Sequence, residues 1–304
     1  MKYKLYMNSI KYLKQPNYFN VPDKLSNKFK TPILNTQSDT KINDSTEPPH
    51  LKYNISLLSI FKNETMNLKI FIEHYLWQGV DHFYLIDNNS TDNPLDILQP
   101  YIDKGIITYK KYDQPYVQVK HYRRIYKNCD IRKSSRWLIV ADLDEFWFVP
   151  DGKISTYLNR NHNYIIHSNW KMFGSDGLLD HPEDIRTAIT HRKPELRGET
   201  KWIIKCRKFY SENIGMHSVK IGHIKNKNKI ITDNIGIQLN HYPIQSKEFF
   251  DKVKKPRGDA ANQKSNNVRN DDYFQLYDSN TTTTDTILRD MILNVHHLEP
   301  IVNL

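Results

Sequence analysis

The chain has 304 residues, of which 38% are hydrophobic and 12% aromatic, enough for a substantial core in one large domain or two small ones. Its 44 Lys and Arg outnumber its 34 Asp and Glu, for a net charge of +10 and a pI near 9.3, a balance that suits a polyanionic partner such as nucleic acid, a membrane surface or a diphosphate. Only Cys129 and Cys206 are present, which excludes a disulfide framework, and no run approaches the roughly 18 apolar residues of a membrane span.

The lysines are spread along the chain, so an ordinary solvated surface competes with a dedicated anion site. The N-terminal stretch MKYKLYMNSIKYLKQPNYFNVPDK is basic but has neither an apolar core region nor a small-residue cleavage site. The expectation is a soluble cytoplasmic protein. From about Lys28 to His50 the chain is polar and ends in Pro48-Pro49. Residues 1–50 therefore read as an extension or linker before a domain over 51–260.

YNISLLSIF, from Tyr53, is a short apolar run bounded by polar residues and reads as a buried strand. NETMNLKIFIEHYLWQG then places Leu68, Phe71, Ile72, Tyr75 and Leu76 at helical spacing, with Asn63 or Thr65 as cap and Gly79 as stop. HFYLIDNNSTD reads as a second strand entering a polar turn, NPLDILQPYIDKG as a short helix and IITYKKY as a third strand. Gln118 to Cys129 reads as another helix, and RWLIVADLDEF as a fourth strand. The alternation of strand and helix predicts an α/β domain whose parallel strands are covered by helices. Ligands in such sheets sit beyond the carboxyl ends of the strands. Asp87, Asp142 and Asp144 would meet there.

Aspartates at i and i+2, as in Asp142-Leu143-Asp144, point the same way on an extended strand. Side by side they repel and resist desolvation, and a divalent cation removes that cost. Mg²⁺ or Mn²⁺ takes one or two carboxylates together with phosphate oxygens of a substrate. The competing reading is a solvated turn whose acids cap a helix.

The runs NISLLSIFKNET, EHYLWQGVDHFYLIDNNSTD, QVKHY and RWLIVADLDEFWFVP, followed by NWKMFGSDG, KWIIKCRKF, GMHSV and NHYPIQSKEFFDKVKKPRG, span about Tyr53 to Gly258. In order and spacing they resemble the family 92-like branch of glycosyltransferases related to family 2. The resemblance implies a GT-A-like fold: a mixed, mostly parallel sheet flanked by helices in one catalytic domain. It also implies transfer of a sugar from a nucleotide-diphosphate donor, usually with inversion, to a glycan, protein or lipid acceptor. A UDP- or GDP-sugar with Mn²⁺ or Mg²⁺ is the expected donor system.

Carried onto these residues, the metal site is expected to be Asp142, Asp144 and His241, with Asp144 as the direct ligand, Asp142 on the ribose or a metal-bound water, and Glu145 behind them. Asp87 is expected to read the nucleoside, and Gln118 and Tyr122 to pack near the nucleotide. His241 is the first choice to complete the metal shell, and His217 the second. Lys62 and Glu64 follow the first strand and should line the same edge. Lys252 and Arg257 are expected to clamp the diphosphate, whereas Lys254 and Lys255 read as a solvated basic face. Trp170 and Phe173 could stack on a sugar or fill a hydrophobic corner. Asp176 is the choice for general base, ahead of Asp180, Glu183 and Asp184. Residues 261–304 read as a polar segment and a helix from TTTTDTILRDMILNV. Two other readings fit parts of the chain. The charge alone fits a nucleic-acid-binding protein, but no binding motif accompanies it. The acids alone fit a phosphotransferase or nuclease, without a second acid cluster for a second metal.

Overall fold

The computed structural model describes residues 51–257 and 269–296. The sequence expectations for residues 1–50 lie outside the described residues. The first half alternates as expected: β1 (Tyr53–Phe61), α1 (Thr65–Trp77), β2 (His82–Asp87), α2 (Leu95–Asp103), β3 (Ile107–Lys111), α3 (Gln118–Asn128), α4 (Ile131–Ser134) and β4 (Ser135–Val140). These strands lie in the order β3-β2-β1-β4 and pair in parallel, with Phe61 level with Asp87 and Asp87 level with Lys111. Their side chains fill both faces: Ile55, Leu57, Phe83, Leu85, Trp137 and Ile139 on one side, Leu58, Tyr84, Ile86, Leu138 and Val140 on the other. A strand covered on both faces reads as a continuous apolar run, which is why YNISLLSIF and WLIV lack alternation.

The start of α1 differs from expectation. Glu64 is its N-cap residue and makes no side-chain capping bond. Instead the Thr65 amide and hydroxyl both donate to the Asp92 carboxylate, at 3.0 and 2.9 Å, so an acid from the turn after β2 satisfies the helix end. Asn63 takes a left-handed φ of 54° and accepts from the Thr91 amide at 2.8 Å. Gly79, at φ 87°, ends the helix as expected.

The fourth strand is shorter than its apolar run suggested. It stops at Val140, the chain turns, and a separate strand β5 (Glu145–Phe148) begins. The Glu145 amide donates to the Asp142 carbonyl at 3.0 Å, and the Asp142 amide donates to the Glu145 carboxylate at 2.9 Å. This reciprocal pair holds the turn, so the acids occupy a turn and not the end of an extended strand.

The second half is α5 (Ile154–Asn159), β6 (Ile165–Met172), α6 (Ile185–Ala188), β7 (His191–Arg192), β8 (Thr200–Lys205), β9 (Ile230–Thr232) and β10 (Gln238–His241). It extends the sheet beyond β4 in the order β8-β6-β10-β5, with β9 on β6. The pairs β4–β8, β8–β6 and β10–β5 are antiparallel, whereas β6–β10 and β6–β9 are parallel. The sheet is thus mixed but mostly parallel, with helices against it, as the α/β reading expected.

After β10 come α7 (Lys247–Phe249), a π-helical stretch Phe250–Lys254 and α8 (Lys255–Arg257). Then α9 (Asp271–Asp278), β11 (Thr283–Thr284) and α10 (Ile287–His296) complete the described chain. Leu288 and Ile292 of α10 are buried in the main core, and Phe274 of α9 packs on Phe250 with ring centroids 5.0 Å apart. A buried ionic knot fixes this segment. The Asp285 carboxylate accepts from Lys171 of β6 at 2.8 Å and from Arg192 of β7 at 2.7 Å. Burial opposes the charge on Asp285, but the two cations outweigh it and hold its carboxyl below the usual range.

Removing one member of a buried ionic group leaves its partners charged and unpaired. Asp285→Ala should therefore lower unfolding stability by about 3–5 kcal/mol, read by urea or thermal unfolding. Because the folded carboxyl is depressed, its contribution should be complete above the unfolded pKa of a carboxylate. It should be lost as pH falls below about 4.

Candidate active site

Three segments converge at the carboxyl edge of β1, β2 and β4. The turn after β4 carries Asp142 and Asp144. Strand β10 pairs with β5 so that His241 stands opposite Glu145, and the Tyr242 amide donates to the Asp144 carbonyl at 2.8 Å. The helix after β10 brings Lys254 and Arg257 over the same edge. Together they frame a cleft of about 270 Å³ whose lining includes Lys62, Glu64, Asn88, Gln118, Asp142 and Asp144. Trp170, His217, His241, Lys254, Arg257 and Arg269 complete its polar and aromatic wall, with Tyr273 and Tyr277 from α9.

The acids are deeply placed. Glu145 is fully buried and Asp144 is 3% exposed, whereas the Asp142 side chain keeps 32% of its surface open to the cleft. Lys201 of β8 makes this possible. Ile139 of β4 pairs with Ile203, so Lys201 comes level with the end of β4. Its ammonium, fully buried, donates to Asp142 at 2.8 Å and lies 3.4 Å from Glu145. Burial works against the Lys201 charge, but Asp142 and Glu145 outweigh it and raise its pKa above the ordinary lysine value. In return Lys201 overcomes the burial of Asp142 and holds that carboxyl below its usual value. Glu145 goes the other way: burial raises its pKa well above the usual value despite Lys201. Gln118 and Tyr122 support the same carboxylate. Gln118 Nε2 donates to the Tyr122 hydroxyl at 2.9 Å, and both approach Asp142 Oδ1, at 3.4 and 3.5 Å. Tyr122 itself is fully buried and acts through Asp142.

Asp144 has its own partners. Lys254 donates to Oδ2, and His241 Nε2 lies 3.5 Å from Oδ1. Burial opposes ionisation of Asp144, and these two groups outweigh it, so the carboxyl sits below the usual range. Ligand atoms of Asp144, Glu145 and His241 all fall within 4.8 Å of one another. Glu145 Oε1 and His241 Nδ1 are buried without a hydrogen-bond partner. Such a set, two carboxylates and one imidazole, suits Mn²⁺ better than Mg²⁺, which prefers oxygen ligands alone, so the residues fit one of the two expected metals.

The remaining expectations divide. Lys62, Glu64, Gln118, Asp142, Asp144, His217, His241 and Arg257 line the cleft. Arg257 forms an ion pair with Glu64 and reaches the Lys62 carbonyl at 3.3 Å. Asp87 lies at the same edge, but its carboxylate is engaged within the protein: it accepts from the Ser90 amide at 2.7 Å and the Tyr109 hydroxyl at 2.6 Å. Asn88, the next residue, lines the cleft in its place.

Lys252 lies off the cleft. Its side chain is 69% exposed and pairs with Glu248 at 2.7 Å, one turn back on the outer face. Lys254, expected on that solvated face, is 4% exposed and points into the cleft, because the wider π turn re-aims the helix. Asp176 also lies off the cleft. It sits in a turn at φ 50°, where its carboxylate accepts from the Thr190 and His191 amides at 2.7 and 3.1 Å. It ties the start of β7 and does not line the cleft. Phe173 is 1% exposed and stacks on Tyr242, so it belongs to the core, whereas Trp170 faces the cleft beside His241 and His217.

Sequence reasoning missed Lys201, Arg269, Tyr273 and Tyr277. For Lys201 a signal existed: a lysine on one side of the apolar run WII, which is otherwise destined for a sheet interior.

A family model described as glycosyltransferase family 92 matches residues 53–297. A glycosyltransferase family 92 protein of Ricinus communis is 24% identical over 213 residues, covering 67% of this chain and 37% of that protein. The chain thus spans little more than a third of the length of the curated relative it matches. Among solved structures, S. aureus TarS 1-349 is similar with a TM-score of 0.40 and 14% identity over 65% of this chain and 62% of that one. GalNAc-T7 with UDP, GalNAc and Mn²⁺ is similar with a TM-score of 0.36 and 11% identity over 62% of this chain and 44% of that one. With the family model covering the sheet, the acidic turn, His241 and the helices that follow, the chain belongs to glycosyltransferase family 92.

Proposed function

We propose that the chain transfers a sugar from a UDP- or GDP-sugar to an acceptor hydroxyl, with inversion, and that a divalent metal ion is its cofactor. The observation that carries this reading is the meeting of Asp144, Glu145 and His241 beside a cleft walled by Lys62, Lys254, Arg257 and Arg269. Acids for a cation and a basic rim for a dianion, in one cleft, match a metal-diphosphate complex. When bound, the metal supplies positive charge against the developing negative charge of the leaving diphosphate. Asp144 and His241 would hold it, with Glu145 behind them. Asp142, fixed by Lys201, Gln118 and Tyr122, keeps one open side toward the nucleotide.

Inversion requires a group that takes the proton of the acceptor hydroxyl. With Asp176 engaged elsewhere, His217 is the group we assign. It lines the cleft against Trp170, its Nδ1 has no hydrogen-bond partner, and burial followed by the Lys201 charge lowers its pKa to about 4. It is therefore neutral near pH 7, a weak base whose ring offers a lone pair to the acceptor proton. Tyr273, Tyr277 and Trp170 form the aromatic side of the cleft where the acceptor would lie.

Calorimetry with UDP and GDP should give millimolar or tighter binding in Mn²⁺ and a large loss in EDTA. Equal affinity in both would remove the metal from the reading. Asp144→Asn and His241→Ala should both weaken metal-dependent nucleotide binding. Asp144→Asn, which leaves the buried Lys254 ammonium unpaired, should also lower the melting temperature, whereas His241→Ala should leave it little changed. If His241→Ala lowers melting but leaves nucleotide affinity intact, His241 is a core residue.

His217→Ala should keep nucleotide affinity and lose turnover by about 100-fold or more, the usual share of general-base catalysis. Release of nucleoside diphosphate from a panel of nucleotide-sugars measures it. Turnover near the parent rate would place the base elsewhere.

A further inference from the structure

The most unusual placement in the cleft is that of Lys254. The other lysines of its helix face outward: Lys247, Lys252 and Lys255 have side chains 39%, 69% and 41% exposed, paired with Asp251 or Asp271, with Glu248 and with Asp271. Lys254 closes the π-helical stretch, is 4% exposed, and sets its ammonium on Asp144. Turns of this kind are rare and collect at functional positions. A lysine this deep is retained only where an anion is always within reach.

That ammonium also lies where a divalent cation would have to bind. Asp144 belongs to the ligand cluster with Glu145 and His241, and Lys254 covers one of its two oxygens. A metal ion and an ammonium repel at such a distance, so a metal taking full hold of Asp144 must drive Lys254 off. The displaced charge, still buried, then needs another anion. Asp142 and Glu145 already share Lys201, and Glu64 is paired with Arg257. Among the described residues, every other carboxylate lining the cleft is therefore matched. What remains is the ligand: a diphosphate beside the metal brings the missing negative charge, and a lysine's long flexible stem can follow it.

We propose that Lys254 is a displaceable cation of the donor site: it holds the metal's place on Asp144 in the empty enzyme and passes to the diphosphate when metal and nucleotide bind together. This rests on the transferase reading above. It makes metal and nucleotide partners in one exchange. Metal alone must expel the ammonium with no anion to receive it, and nucleotide alone finds the ammonium engaged. Each should bind poorly without the other, and the coupling is reciprocal.

The test compares the wild-type chain with Lys254→Met, using calorimetry for Mn²⁺ alone and for UDP and GDP in saturating Mn²⁺. The expected signature is crossed. Removing the ammonium should tighten Mn²⁺ alone by about 5- to 150-fold and weaken the nucleoside diphosphate by a factor in the same range, the usual span of coupled sites. Lys254→Arg, which keeps the charge, should restore much of the nucleotide affinity. Melting curves check folding, and Lys254→Gln replaces Lys254→Met if the latter unfolds. A lysine with a purely structural role would weaken both ligands together, and that result overturns the proposal while leaving the transferase reading standing. Nucleotide binding by the wild type that is equal with and without Mn²⁺ also overturns it, since Lys254 would then be the resident cation. If the wild type binds Mn²⁺ but neither UDP nor GDP, the transferase reading falls and the proposal with it.

Discussion

The site depends on the cost of burying three carboxylates within four residues of chain. Asp142, Asp144 and Glu145 follow a strand with no exposed residue among Trp137 to Val140, and they lie where the sheet interior meets the cleft. Left alone, they would protonate or refuse burial. The fold answers with one cation for each side of the turn, Lys201 beneath and Lys254 above, and with His241 beside Asp144. The two cations differ in kind. Lys201 is locked between two acids and fully buried in a central strand, so it fixes shape. Lys254 sits on a helix at the cleft surface with a single acid, so it can be exchanged for a ligand.

That compensation dictates the rest of the architecture. Lys201 reaches the acids only because β8 runs antiparallel beside β4, and His241 reaches Asp144 only because β10 pairs with β5. The second half of the sheet therefore both completes the core and supplies the counter-charges of the first half. The C-terminal helices extend the same logic. The Asp285 knot with Lys171 and Arg192 fastens them to β6 and β7, and α9 in turn presents Tyr273 and Tyr277 to the cleft.

Much of this was legible in the chain itself. Apolar runs with no alternation announced strands covered on both faces, and periodic Leu68, Phe71, Ile72 and Tyr75 announced α1, because these patterns follow from local geometry. Asp142 and Asp144 stood out because acids at the end of such a run are costly, and the motif order pointed to the family. Lys62, Glu64, Gln118, His241 and Arg257 all line the cleft beside those acids.

What only the tertiary structure decided is which charge meets which. Asp176, Asp87 and Lys252 carry the right chemistry, yet they bond to backbone amides, a tyrosine hydroxyl and a surface glutamate and lie outside the cleft lining. Lys201 and Lys254 lie in runs that read as sheet interior and solvated helix, and the antiparallel β4–β8 pairing and one π turn bring them onto the acids. The sequence by itself determined the strands and helices of the first half and the presence of costly acids after the fourth strand, since hydrophobic periodicity and desolvation cost are properties of neighbouring residues. The turn that holds those acids was set by the reciprocal pairing of Asp142 and Glu145. Partner choice for each charge belongs to the tertiary structure, because a salt bridge between positions 59 or 110 residues apart is set by strand register and helix winding, to which local sequence is blind.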